Sequence, residues 1–231
     1  MKKFFAKQDG DFFVFEDEEF AHFNVVRCKL GEQVLCFGEN NTDYICEVTQ
    51  VNKKQAKAKI VKAIQNTKNP KINITLYQGM VKGEKADLIV QKLTELGASN
   101  LYFFESEFTI AKGNNNKIDR LQKISREACK QCGRSVPLNI FEIKFNELIQ
   151  QLNNYDLILF ANEKDTFRSI DNLKEYKNVA IIVGSEGGFS DNEIVAINSK
   201  CAVNFGLGSR ILRAETAAIA TTAIVGYLLN V

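Results

Sequence analysis

A chain of 231 residues, 45% hydrophobic and 25% charged, has the make-up of an ordinary globular protein of one or two domains with a sizeable core. Its net charge of +2 is too small to name a polyanionic partner by itself. Six cysteines without a disulfide-like spacing, and no signal-peptide pattern at the start, point to a reducing cytoplasm.

In chain order, the first 70 residues read as short strands. Phe12–Phe15, Gln33–Phe37, Tyr44–Val51 and Ala56–Ile64 are β-leaning runs, interrupted by the turn-like Gly38-Glu39-Asn40-Asn41 and by a short predicted helix from Asp17 to about Lys29. Between Val48 and Gly83 there is no acidic residue and there are eight lysines, a one-signed stretch that attracts phosphates or simply solvates one face. Period two places Lys57 and Lys59 on one face of their strand and Ile60 on the other. The pattern predicts a small β-barrel, an architecture often used for nucleic acid.

After Pro70 the period changes. Ile72–Gln78 reads as a strand, and Lys82–Leu96 as a helix with Ala86, Ile89, Val90 and Leu93 on one face and Gly97 closing it. Leu101–Phe104 is the next strand, then a helix marked by Ile118, Leu121, Ile124, Ala128 and Cys132. A loop is expected at Gly113 to Asn116, a strand after Pro137 and a helix near Asn146–Leu152. Tyr155–Ala161 and Asn178–Val183 are apolar enough for buried parallel strands. Ser190 with Glu193 predicts a capping box opening a helix to about Lys200. Ala202–Phe205 is a last strand, and a last helix begins near Ala214. Strands alternating with helices predict an α/β layer with a mostly parallel sheet. The division is therefore 1–70 and 71–231.

Cys129-x-x-Cys132 lacks the further ligands that zinc needs, since His22 is the sole histidine, so no metal site is expected. The apolar stretch Ala214–Val231 is short, begins with Glu215 just after Arg213, and reads as a buried helix or subunit interface, not a membrane span. Neither a P-loop nor a complete dinucleotide fingerprint is present.

Two glycine-bearing turns stand out. Gly184-Ser185-Glu186-Gly187-Gly188 follows one apolar strand, and Gly206-Leu207-Gly208-Ser209-Arg210-Ile211-Leu212-Arg213 follows another. Either is by itself a tight βα turn. Together, at the carboxyl edge of a parallel sheet, they can wall one pocket with backbone. Glu215 and Thr216 suit the positive end of the last helix; two nearby arginines are less well explained by capping and suit phosphate, base or carboxylate.

GSEGGFS with LGSRILRAETA resembles the bacterial small-subunit rRNA uracil-N3 methyltransferase family of the SPOUT superfamily. VVRCKLGE from Val25, KGEKADLIVQKLTELG from Lys82 and REACKQCGRSVPLN from Arg126 agree, in family order, across both halves. Two departures are visible: the family usually carries Pro where Ser185 stands, and the His22–Arg27 spacing is one residue shorter than usual. The resemblance implies a PUA-like β-barrel RNA-binding domain over 1–70. It implies a SPOUT α/β domain over 71–231 with a deep trefoil knot, an exception to the rule against knots. It also implies a homodimer, no membrane association and S-adenosylmethionine as cofactor. The implied reaction is methylation of uracil N3 in 16S rRNA within the assembled small ribosomal subunit.

By resemblance, cofactor contacts fall on Leu159, Phe160 and Glu163, on Val183, Gly184, Glu186, Gly187 and Gly188, and on Leu207, Gly208, Ile211, Leu212 and Ala217. Arg213 and Glu215 are the catalytic candidates, the first to orient RNA or stabilise the deprotonated base, the second as base or helix cap. RNA contacts are expected from Arg27, Lys57, Lys59, Lys82, Arg134 and Arg210. The alternative reading is a non-catalytic RNA-binding protein with an α/β dimerisation domain, which would not need both glycine turns.

Overall fold

Side-chain alternation decides the first sheet. Ala56 and Ala58 are fully buried, while Lys57 between them is half-buried and Lys59 is exposed. The computed structural model describes residues 1–39, 41–109, 115–162 and 176–229, with the main chain alone at 115–117. The chain divides into two compact units, Met1–Asn69 with Cys129–Val136, and Pro70–Ala128 with Pro137–Val231.

In the first unit, β1 (Lys3–Phe4), β2 (Lys7–Asp9), β3 (Phe12–Phe15), β4 (Gln33–Phe37), β5 (Thr42–Val51) and β6 (Ala56–Gln65) form one sheet in the order β1-β4-β5-β6-β3-β2. Only β1 and β4 pair in parallel. Among the described residues no pairing joins β1 to β2, so the expected barrel is an open sheet by its hydrogen bonds. Phe4, Phe13 and Phe15, with Phe23 from α1 (Asp17–Val25), fill its core. The helix stops short of Lys29 because Arg27 takes a left-handed φ of +54°. His22 lies edge-on to Phe4, with ring centroids 5.2 Å apart. Two asparagines bind the distant segment 129–136 into this unit. Asn66 Nδ2 donates to the Gly133 carbonyl at 3.1 Å, and Asn69 Oδ1 accepts from the N–H groups of Ser135 and Val136 at 2.8 and 3.1 Å.

The second unit carries β7 (Asn73–Gly79), β8 (Asn100–Glu105), β9 (Asn139–Lys144), β10 (Leu157–Ala161), β11 (Asn178–Val183) and β12 (Val203–Phe205) in the order β12-β10-β11-β7-β8-β9. Every pair is parallel. Its helices are α2 (Lys85–Glu95), α3 (Asn115–Cys132), α4 (Phe145–Gln151), α5 (Asp191–Asn198) and α6 (Ala214–Leu229). Helix α3 begins at Asn115, inside the stretch expected to be a loop. Its last turn belongs to the first unit.

Alternate residues of β11 enter two cores. Val179, Ile181 and Val183 pack with α2, α3 and α6, whereas Ala180 and Ile182 pack with α4 and α5. Burial on both faces is why this strand is apolar throughout. At the amino ends of the strands the side chains of Asn178, Asn73, Asn100 and Asn139 hydrogen-bond in series, at 3.3, 2.9 and 3.1 Å, crossing four neighbouring strands. At the other end, β7 finishes on Gly79, where a Cβ would lie 2.2 Å from Ser185 N. No rotamer relieves a clash between a Cβ and main chain. Gly79→Ala should therefore lower stability by about 1–3 kcal/mol, the usual cost of overpacking, in a urea titration followed by circular dichroism.

Candidate active site

Three parallel strands end in register. Phe205 of β12 pairs with Ala161 of β10, which pairs with Val183 of β11. The next residues, Gly206, Asn162 and Gly184, leave the sheet at the same level and open a cavity of about 890 Å³ at its carboxyl edge. Its walls are the turn 183–189, the segment 205–213 and the first two turns of α6, with Lys85 of α2 reaching in.

The turn 184–188 is fixed from several sides. Gly188 N–H donates to the Ser185 carbonyl at 3.1 Å, and Gly187 N–H to Ser185 Oγ at 3.4 Å. Fully buried Gln78 at the end of β7 donates from Nε2 to the Gly184 carbonyl at 2.9 Å. Gly188 has a φ of +69°, and a Cβ on Gly184 would lie 2.9 Å from the Phe189 ring. Serine at position 185 thus keeps the turn closed and adds a hydroxyl acceptor. Across the cavity, Gly208 has a φ of +105° and open space where a Cβ would stand. Beyond the turn, the capping box expected at Ser190 and Glu193 starts α5, and Glu193 also accepts the Glu107 N–H at 2.9 Å.

Charge gathers on one wall. Lys85 Nζ lies 2.7 Å from Glu186 Oε1 and 3.8 Å from Glu215 Oε2. Glu215 is only 12% exposed by side chain, and its Oε2 accepts no hydrogen bond among the described residues. Thr221 Oγ1, buried on α6 at the cavity, also has no partner among them. Burial pushes the Glu186 carboxyl up, but hydrogen bonds from Lys85 and from backbone N–H groups outweigh it and hold the group below the ordinary 4.5. The same hydrogen bond from Lys85 to Glu186 holds the lysine above 10.5.

The expected cofactor residues mostly converge here. Val183, Gly184, Glu186, Gly187, Gly188, Leu207, Gly208, Ile211, Leu212 and Ala217 all line the cavity. Leu159 and Phe160 do not. Both are fully buried in β10, which runs on to Ala161, so Ala161 and Asn162 take the lining positions. Glu163 lies outside the described residues. Arg213 stands at the cavity, as does the expected RNA contact Arg210, while Glu215 is not one of the lining residues and reaches the wall only through Lys85, 3.8 Å away. Lys82 is exposed in the same unit, while Arg27, Lys57 and Lys59 belong to the first.

Arg134 requires a correction. It is 2% exposed and donates from Nε to the Val136 carbonyl at 2.6 Å, which makes it a structural residue of the first unit and removes it from the RNA contacts. Lys85 was not expected; its partners lie 101 and 130 residues away, beyond any local pattern. Among the described residues no cluster of His, Cys, Asp or Glu is placed to hold a metal. Among the described residues no helix is long and apolar enough to cross a membrane.

The architecture and site define an RNA methyltransferase: residues 67–226 match the RNA methyltransferase domain and residues 15–61 the RNA methyltransferase PUA domain, and the chain belongs to that family. Its relatives narrow the class. Ribosomal RNA small subunit methyltransferase E of Buchnera aphidicola is 34% identical, over 92% of this chain and 87% of its own. The structure of the Neisseria gonorrhoeae ribosomal RNA small subunit methyltransferase E, bound to S-adenosyl methionine, superposes with a TM-score of 0.88 at 26% identity, covering 99% of this chain and 98% of that one. A Legionella pneumophila methyltransferase in complex with SAM gives the same score at 27% identity, over 98% and 96% of the two chains. The resemblance carried by the two glycine turns and by the segments from Val25, Lys82 and Arg126 is thereby borne out at the level of the family.

The Lys85–Glu186 pair has a definite pH signature. The carboxylate's contribution is present above 4.5 and lost as pH falls through its lowered value; the ammonium's is present below 10.5 and lost as pH rises through its raised value. A small stability difference between wild type and Lys85→Met should hold steady from pH 5 to 9 and fade as pH falls below 4.5. Urea midpoints measured at each pH check this.

Proposed function

We propose that this chain transfers a methyl group from S-adenosylmethionine to N3 of one uridine in 16S rRNA, within the assembled small ribosomal subunit. The observation that carries the reading is the cavity at the in-register ends of β10, β11 and β12, built from the two glycine turns, in a chain whose relatives include S-adenosylmethionine complexes.

The residues present suit that cofactor. Glu186 places a carboxylate on the wall of a cavity that would receive a cationic ligand, Glu215 lies 3.8 Å from Lys85 of that wall, and the spare Thr221 Oγ1 supplies a buried hydrogen-bonding group. Backbone at Gly184–Gly188 and Leu207–Leu212 would hold the nucleoside, with no side chain interposed at the glycines. When bound, the cofactor supplies an electrophilic methyl group on sulfur.

This chain's task is to prepare the nucleophile. Uracil N3 carries a proton and attacks poorly until it is removed. Glu215, with an oxygen that accepts no hydrogen bond among the described residues, is the proposed proton acceptor. Exposed Arg213, just before α6, is placed to face the negative charge left on the base oxygens. Arg210 and Lys82 would meet phosphates around the cavity, and Arg27, Lys57 and Lys59 would do so on the first unit. The topology we infer is the trefoil knot of SPOUT methyltransferases. An enzyme that acts on ribosomal subunits would work in the cytoplasm.

A homodimer is part of the same proposal. Leu88 on α2, and Ile224 and Tyr227 on α6, leave apolar surface in water on two adjoining helices; Tyr227 is 82% exposed. Such a face suits a second copy of the chain. Sedimentation velocity should show a dimer for the wild type and a monomer for Tyr227→Glu.

The decisive experiment maps N3-methyluridine in 16S rRNA from cells with and without this protein. One modified uridine should disappear in its absence and return with the wild type. Identical maps would end the proposal. Arg213→Ala should reduce single-turnover methylation roughly 10- to 100-fold, the scale of a lost charged hydrogen bond, with cofactor affinity within about twofold of wild type.

A further inference from the structure

A base methylated on its pairing edge must leave its stack, and a base held out of its stack needs a flat surface to lie on. Phe108 offers one. It sits in the connection after β8 and is 47% exposed, yet its backbone is firmly held. Thr109 N–H donates to the Ser106 carbonyl at 3.0 Å, and Ser106 N–H donates to Thr109 Oγ1 at 2.8 Å. Between them, Glu107 N–H donates to Glu193 Oε1 at 2.9 Å.

This fixed segment lies directly against the cavity turn. A Cβ on Gly187 would stand 2.8 Å from Phe108 Cβ and 2.8 Å from its carbonyl oxygen, so glycine at 187 is what lets the two approach. The other aromatic rings at the turn are already packed. Phe189 stacks on Phe104 at 6.0 Å and meets Phe160 edge-on at 5.0 Å, and Phe205 is buried. Lys85, Arg210 and Arg213 line the same cavity and supply cations for the accompanying phosphates. A solvent-facing ring on a rigid support, beside a cationic cavity, is the arrangement by which proteins stack unpaired bases.

Resting on the methyltransferase reading, we propose that Phe108 is the stacking platform for the base presented to the cavity. The chain contains no tryptophan, so Phe108→Trp introduces a single tryptophan at this point, excited selectively at the red edge of the absorption band where the six tyrosines are silent. Small ribosomal subunits from cells lacking the protein are titrated into the variant saturated with S-adenosylhomocysteine. Tryptophan emission should be quenched. Phe108→Ala should raise KM for the subunit roughly tenfold or more, with cofactor affinity unchanged as the control for folding. Emission that the subunits leave unaltered, or a Phe108→Ala enzyme with wild-type KM, overturns the assignment. Wild-type turnover on the same subunits reports separately on the reaction. Quenching without methylation would sink the chemistry proposed above and leave the stacking role standing.

Discussion

Strand β7 ends against the turn that lines the cavity, and glycine alone fits there. Gly79 lets the end of the strand approach the Ser185 main chain so closely that a Cβ there would stand 2.2 Å from Ser185 N, and Gln78 beside it holds the Gly184 carbonyl. These two residues fix the height of the turn above the sheet. The cavity's position follows, since Val183 ends in register with Ala161 and Phe205 and the chain leaves all three strands together. A side chain at 79 would push the turn away and change the depth of the cavity without touching anything in it.

Above that base, the two units divide the labour. The parallel sheet supplies a backbone-walled cavity where Lys85 reaches toward the carboxylates of Glu186 and Glu215, and Arg210 and Arg213 stand at the same cavity. The first unit supplies a phenylalanine core and outward lysines at 57 and 59. Its stability depends on a distant segment, since Asn66 and Asn69 hold residues 133–136. Arg134 belongs to this packing, and long-range stitching of that kind turned an expected RNA contact into a core residue.

Local patterns made much of this legible. The bounds of β3, β4 and β11 fall where alternation and apolar runs predict, and the Ser190–Glu193 capping box is present as its spacing requires. The two glycine turns that stand out in the sequence line one cavity. Other features had no local signal. Strands β1 and β2 are two and three residues long and are defined only by their partners. Helix α2 starts three residues late because Gly83 takes a φ of +63°. Leu159 and Phe160 were expected to touch the cofactor, but both sit inside the strand that runs to Ala161 and their side chains enter the two cores. Lys85 and Phe108 owe their positions at the cavity to residues some eighty to 130 positions away, a separation across which no sequence period extends.

The central physical claim is that main chain at the two glycine turns, and not a set of special side chains, holds the methyl donor. Calorimetric titration of S-adenosylmethionine into the wild type and into Gly184→Val tests it directly, because a Cβ at 184 would press on the Phe189 ring at 2.9 Å and deform the turn. One site per chain in the wild type and loss of the binding heat in a folded Gly184→Val variant are the predicted results. A wild type that takes up no donor, or a variant that binds it equally well, would contradict the claim.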